Sequence, residues 1–233
     1  MIAFKDREDF QLHLLKDIYQ RLYEAYGPQG WWPAESWFEI VVGAVLTQNT
    51  TWRNVEKAID NLKKSGVLDP QKMLEISEED LAQLIRPAGF WRVKSKRLKR
   101  LLAKLSEYDF DFEKTKNGLT REELLAVNGI GPETADSILL YAFDRPYFVV
   151  DNYTRRILNR LGLLSDEASY VEIQRVFHSV IEDVHTMKEF HALIVEHAKR
   201  TCKKNDPRCD SCVLKDICRC SGFMNTPFEN PTS

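Results

Sequence analysis

Residues 120–142 read TREELLAVNGIGPETADSILLYA, two short stretches of helical apolar spacing joined by Val127-Asn128-Gly129-Ile130-Gly131. Gly131-Pro132 is a helix start signal, because proline at the first helical position gives up an amide that lacks an intrahelical partner there anyway. The glycines at 129 and 131 permit positive φ and close approach of backbone to a ligand, and the amides of the turn and of the following helix start point outward together. The stretch reads as an anion site or, at its plainest, as a helical hairpin with a glycine turn.

Helical spacing continues on both sides. Apolar residues recur every three or four positions over 10–26, 38–48, 52–64, 77–86 and 93–108, and further helices read at 120–126, 132–142, 152–162, 169–182 and 186–200. Gly66, Gly118 and Gly162 serve as stops. Strand-like alternation is scarce, so the expected fold class is all-α. The segment SGFMNTPFENPTS has no periodicity, and a flexible tail is expected over 221–233.

With 233 residues, 43% of them hydrophobic, the chain can bury a sizeable core. No apolar run approaches the roughly 20 residues of a membrane helix, and the N-terminal MIAFKDREDFQLHLLK carries charges where a signal peptide needs an apolar stretch. An intracellular, cytoplasmic protein with no membrane partner is expected. The net charge of −2 excludes a uniformly basic polyanion binder, yet six of the nine residues from Arg92 to Arg100 are basic. Lys199, Arg200, Lys203, Lys204, Arg208 and Lys215 crowd a second region. Both are expected docking faces for a polyanion, the plainer reading of the first being the solvated face of a helix.

All five cysteines lie within 202–220, which leaves none to staple the rest of the fold. Cys202, Cys209, Cys212 and Cys218 form C-x6-C-x2-C-x5-C, and four thiolates so close must share one cation or cluster. A zinc site of four cysteines usually presents two C-x2-C knuckles, whereas only Cys209 and Cys212 make one here. The spacing, itself a family signature, favours a [4Fe-4S] cluster over zinc, with Cys220 a spare thiol. Between the hairpin and the cysteines, the apolar run ending in Val149-Val150-Asp151-Asn152-Tyr153 places Asp151 at the start of a helix. An aspartate there is an N-cap, a catalyst, or both.

LAVNGIGPETA, an aspartate in V-D about twenty residues later and the C-x6-C-x2-C-x5-C run, in that order, resemble endonuclease III and its relatives, the helix-hairpin-helix DNA glycosylases. The resemblance spans residues 20 to 220. It implies a two-lobed all-α fold with a C-terminal [4Fe-4S] cluster loop: a helical barrel over 30–143, and a lobe joining 1–29 to 144–220, with the active-site cleft between them. It also implies double-stranded DNA containing a damaged base as partner, a nucleoid-associated monomer, and Asp151 as catalytic aspartate. Gly129, Ile130 and Gly131 would hold phosphate without reading sequence, and Lys203 and Lys204 would meet the DNA backbone beside the cluster.

Bifunctional members of that family carry a lysine two residues after the second hairpin glycine, where this chain has Glu133. A carboxylate cannot form a Schiff base, so a monofunctional glycosylase with weak or absent lyase activity is expected. The adenine-mismatch branch needs a glutamate that falls here on Gly43, which disfavours it; Glu39, one turn earlier, reads as a surface or junction residue. Gly30-Trp31-Trp32-Pro33, GAVLTQNTTWRNVEKA and IRPAGFWRVKSKRL look like the 3-methyladenine glycosylase branch. That likeness puts Trp31, Trp32 and Pro33 in the base pocket; filling the seam between lobes is their plainer role. Gln48 matches a family position that would bond the orphaned partner base, or else satisfies local backbone. Gly89-Phe90-Trp91 would supply a wedge, or else core. The expected activity is hydrolysis of the N-glycosidic bond of a flipped alkylated purine such as 3-methyladenine. Oxidised pyrimidines, G·T or G·U mismatches, and a non-catalytic iron-sulfur DNA-binding protein are the alternatives.

Overall fold

A computed structural model describes residues 4–165 and 167–221, with side chains from 13 to 220. From 222 onward the expected tail lies outside the described residues. The described residues contain helices and no strand. Two compact units divide the chain, one formed by Met1–Trp31 with Phe148–Ser233, the other by Trp32–Tyr147.

The Trp32–Tyr147 unit contains α2 (Trp37–Leu46), α3 (Trp52–Lys64), α4 (Pro70–Glu75), α5 (Glu78–Leu84), α6 (Trp91–Ser106), α7 (Phe112–Gly118), α8 (Arg121–Ala126) and α9 (Pro132–Ser137), the last continued by a π-helical turn at Ile138–Ala142. Short polar side chains start these helices: Ser36, Asp69, Ser77, Asp111 and Thr120 each accept an amide of the first turn. Val41, Val45 and Leu46 of α2, Val55 and Leu62 of α3, and Leu98, Leu102 and Leu105 of α6 are buried in one core with Ile138 and Leu139. Glu39 is 7% exposed and ion-pairs with Lys63 at 3.1 Å, the junction role.

The basic run on α6 differs from the expected docking face. Lys94 is 1% exposed, and its Nζ donates to the carbonyls of Leu46 and Ala88, each at 2.8 Å. Lys99 donates to the carbonyls of Met73 and Leu74, at 2.8 and 2.7 Å, and to that of Ile76. Both ammonium groups therefore satisfy carbonyls at helix ends that have no intrahelical partner. Arg97 and Arg100 turn to the hairpin, leaving Arg92 and Lys96 as exposed members of the run that make none of these contacts.

In the other unit, α1 (Phe4–Tyr26) and α10 (Asn152–Leu161) both pack on α12 (Val184–Arg200), with α11 (Tyr170–His178) completing it. Leu15, Ile18 and Leu22 of α1, Ile157 and Leu158 of α10, Phe177 of α11, and Phe190, Leu193 and Ile194 of α12 are all buried. Arg21 of α1 reaches the cysteine region, bonding both carboxylate oxygens of Asp216 at 2.7 and 2.9 Å.

Candidate active site

Asp151 ends a buried run, Phe148, Val149 and Val150, whose backbone finds its partners in side chains. Three residues spaced four apart on α11 supply them. His178 Nε2 accepts the Phe148 amide at 3.0 Å, Gln174 Nε2 donates to the Phe148 carbonyl at 2.8 Å, and Tyr170 Oη accepts the Val150 amide at 3.3 Å. This stripe does the work of a neighbouring strand. Asp151 then caps α10: its Oδ1 accepts from the Thr154 amide at 2.7 Å and from the Thr154 hydroxyl at 3.0 Å. Its second oxygen, Oδ2, stands 3.6 Å from Nε2 of His191 on α12. Burial pushes the carboxyl pKa up, but His191 and the Thr154 donors outweigh it and hold Asp151 below the usual carboxylate range. The side chain keeps 13% exposure, so an ionised carboxylate with one oxygen committed to the helix is presented at a nearly buried position.

In the hairpin, α8 begins with a capping box between Thr120 and Glu123, and α9 begins at Pro132. Arg121 and Asp136 bind the two helices together through a bidentate pair at 2.6 and 3.0 Å, Asp136 being fully buried. Gly129 adopts φ +97°, and a Cβ there would stand 2.5 Å from Arg97 Cγ. Ile130 is 4% exposed and donates its amide to the Val127 carbonyl, so among the expected DNA-contacting residues it fixes the turn from inside. Gly131 has ordinary extended backbone with open space around it. Gln48 serves the hairpin and not local backbone: its Nε2 donates to Gly129 O at 3.2 Å and Thr134 Oγ1 at 2.9 Å, while its Oε1 accepts from Arg97 at 2.5 Å. Arg100 adds a bond to Asn128 Oδ1 at 2.9 Å. Glu133 lies exposed in the first turn of α9, where a carboxylate complements the helix dipole.

Of the tryptophan segment, Trp31 carries Lys199 Nζ over its ring at 5.9 Å, and the preceding Gln29 and Gly30 amides both donate to the buried carboxylate of Glu189. Trp32 packs in the Trp32–Tyr147 unit, its ring 5.4 Å from both Trp52 and Tyr141. It lies against Gly43, where an added Cβ would be 3.0 Å from Trp32 Cζ2. The glutamate sought at position 43 thus has its place taken by an indole. Pro33 is exposed. Phe90 is 64% exposed and holds φ +47° at the start of α6, whereas Trp91 is half-buried under Arg86.

Cys202, Cys209, Cys212 and Cys218 come together around a cavity of about 250 Å³, with Arg160, Thr201, Pro207 and Arg208 also lining it. Arg160 donates to Cys202 Sγ at 3.2 Å and to the carbonyls of Lys203 and Lys204, and the Leu214 amide donates to Cys212 Sγ at 3.4 Å. Burial pushes the Cys212 thiol up, and the neighbouring Cys202, Cys218 and Cys209 add to the rise. Among the described residues no three His, Cys, Asp or Glu side chains converge closely enough to hold a single metal ion. Cys220, outside the spacing, is exposed and lines the same cavity. Lys204 is exposed and Lys203 half-buried.

Helices throughout the described residues, a glycine-turn hairpin and an aspartate capping the next helix are shared with DNA repair glycosylases of the endonuclease III type, and comparison with known proteins assigns the chain to that class. The chain belongs to the HhH-GPD superfamily of base excision DNA repair proteins, whose family model matches residues 42–183. It is 48% identical over 214 residues to a Methanocaldococcus jannaschii protein named provisionally as a DNA repair glycosylase, covering 89% of this chain and 97% of that one. It is 30% identical to endonuclease III of Sulfolobus acidocaldarius, over 78% of this chain and 81% of the relative. Among solved structures it resembles the H. pylori 3-methyladenine DNA glycosylase bound to 1,N6-ethenoadenine, with a TM-score of 0.73 and 32% identity, covering 82% of this chain and 97% of the other. No described helix is long and apolar enough to cross a membrane.

Sequence reasoning missed His191, Glu189, Arg97 and the α11 stripe. Only the stripe left a readable signal, since Tyr170, Gln174 and His178 are hydrogen-bonding groups at four-residue spacing on one helix.

Proposed function

We propose that the protein is a monofunctional glycosylase that releases an alkylated purine such as 3-methyladenine from double-stranded DNA, leaving an abasic site. The observation that carries this reading is Asp151: an ionised carboxylate, held by helix α10 through one oxygen, with the other oxygen uncommitted to the cap. The target nucleotide leaves the stack at a cost of a few kcal/mol, which is smaller for damaged bases. The C1′–N bond breaks with its electron pair going to the base, which departs neutral because alkylation had made it cationic. Asp151 stabilises the oxocarbenium-like sugar and orients a water whose oxygen bonds to C1′ and whose proton is lost to solvent through the carboxylate.

A cationic base suits the indoles of Trp31 and Trp32, cation–π attraction being worth about 0.5–2 kcal/mol. Pro33 follows them in the chain, the exposed Phe90 would act as wedge, and Gly129 and Gly131 would offer backbone to phosphate. Gln48 contributes by bracing the hairpin turn. The resemblance to the H. pylori enzyme supports the substrate class, and Glu133 supports the absence of lyase chemistry.

The residues at the cysteine cavity fit a [4Fe-4S] cluster: four thiols line one cavity, while a guanidinium and an amide donate to two of the sulfurs. Cys202, Cys209, Cys212 and Cys218 would hold it, and when bound it supplies a cross-link that shapes the loop carrying Lys203 and Lys204.

Duplexes carrying alkylated purines, an oxidised pyrimidine, uracil or a G·T mismatch test the reading. Release of alkylated purine without borohydride trapping is expected, and Asp151→Asn should abolish release while retaining binding to damaged DNA. Trapping would overturn the monofunctional assignment, and excision confined to the other duplexes would overturn the substrate class.

A further inference from the structure

Asp151 has two carboxylate oxygens with different surroundings. Oδ1 carries the helix start, receiving both the amide and the hydroxyl of Thr154. Oδ2 has no part in the cap, and the group opposite it is Nε2 of His191, 3.6 Å away. That separation is too long for a formed hydrogen bond, yet it closes to one with a small movement of either side chain. Both side chains are nearly buried, His191 at 9% and Asp151 at 13% exposure, so solvent screens the pair weakly.

Neither partner is free to drift. The backbone leading to Asp151 is held at Phe148 and Val150 by Tyr170, Gln174 and His178. The His191 ring stands perpendicular to Phe148, with centroids 6.2 Å apart, and Phe148 is itself stacked on Phe177 at 3.7 Å. One aromatic cluster thus orients the imidazole while one helical stripe fixes the aspartate's chain.

Resting on the glycosylase reading above, we propose that His191 is a positioning residue for Asp151, donating from Nε2 to Oδ2 so that the reacting oxygen is aimed and kept ionised. On the helix that Asp151 caps, the Arg155 guanidinium bonds the Ala168 carbonyl at 2.8 Å, and from α11 the Tyr170 hydroxyl accepts the Val150 amide. From α12, His191 presents a titratable ring nitrogen to Oδ2. The depressed carboxyl pKa of Asp151 agrees with this geometry. In catalytic terms the imidazole keeps the carboxylate anionic toward lower pH and stops it rotating away from C1′.

The test uses the full-length protein and dimethyl-sulfate-treated duplex DNA, with His191→Leu and His191→Gln, the second retaining a side-chain N–H donor. In single-turnover experiments His191→Leu should lower the rate of base release about tenfold or more and move the acidic limb of the pH–rate profile upward by about one pH unit. Affinity for a duplex with a tetrahydrofuran abasic analogue should be unchanged, and His191→Gln should recover part of the rate. Carbon-13 NMR titration of the Asp151 carboxyl should show a higher pKa in His191→Leu than in wild type, whether or not any base is excised. An inactive wild type would sink the glycosylase reading while leaving that titration to judge His191. A Leu variant with wild-type rate, profile and carboxyl titration would reduce His191 to packing and overturn the proposal; if that variant failed to fold, a His191→Phe variant with wild-type rate and an unshifted Asp151 titration would overturn it equally.

Discussion

Lys94 is a cation placed where water scarcely reaches, and two carbonyls are its compensation. Burial, aided by the positive charge of Arg97, pulls its pKa from 10.5 down to about 8. A folded-state pKa below the unfolded one means that the unfolded chain binds more protons between those values. The cost of burying the charge is therefore fully present below about pH 8 and is relieved as pH rises toward about 10.5. In urea titrations across that range, the stability of wild type relative to Lys94→Met should move in favour of wild type as pH rises; a difference independent of pH would show that Lys94 carries no such burden. Nothing in the sequence marks this residue, because RVKSKRLKR presents Lys94 as one basic side chain among six. Asp151 was legible for the opposite reason: its neighbours in the chain, an apolar run before and a helix after, already specify a cap, and the cap fixes the carboxylate. His191 acts across space from another helix, so its role appears only once α12 is folded.

At the scale of elements, one buried ion pair ties the two hairpin helices together. Arg121 and Asp136 meet with both oxygens engaged, and Asp136 is fully buried. Removing one partner strands a buried charge, so Asp136→Asn should destabilise the protein by about 3–5 kcal/mol in chemical denaturation. Thr120→Ala, which removes only the α8 cap, should cost about 1 kcal/mol. Equal effects would show that the pair adds nothing beyond a cap. The long helices were readable because several turns repeat the apolar spacing; α3 occupies the expected 52–64. The six-residue α4 and seven-residue α7 went unread because PQKMLE and FEKTKNG repeat no apolar residue at three- or four-residue spacing, whereas the equally short α5 shows one in Leu81 and Leu84. The helix expected over 169–182 stops at His178, where Ser179 caps it, and Ile181 beyond it is still buried, so its apolar character belongs to the core without belonging to the helix.

Across the whole molecule, a chain of net charge −2 must meet a polyanion through a few well-placed cations, and the fold decides which are available. Lys94 and Lys99 give their ammonium protons to backbone carbonyls, while Arg92, Lys96 and Lys204 are exposed. Each lysine or arginine that neutralises a phosphate releases condensed counterions, steepening the dependence of log binding constant on log salt by about 0.9. Measured on an undamaged duplex between 50 and 200 mM salt, Arg92→Ala, Lys96→Ala and Lys204→Ala should each flatten that slope by about one unit if the residue touches backbone. Lys94→Met and Lys99→Met should leave the slope unchanged and lower stability instead. Two lysines of identical formal charge, two residues apart in sequence, Lys94 and Lys96, are thus expected to separate into opposite classes. A flattened slope in Lys94→Met would mean that its ammonium reaches DNA, and that the carbonyl bonds at the ends of α2 and of the Arg86–Ala88 turn give way when the duplex binds.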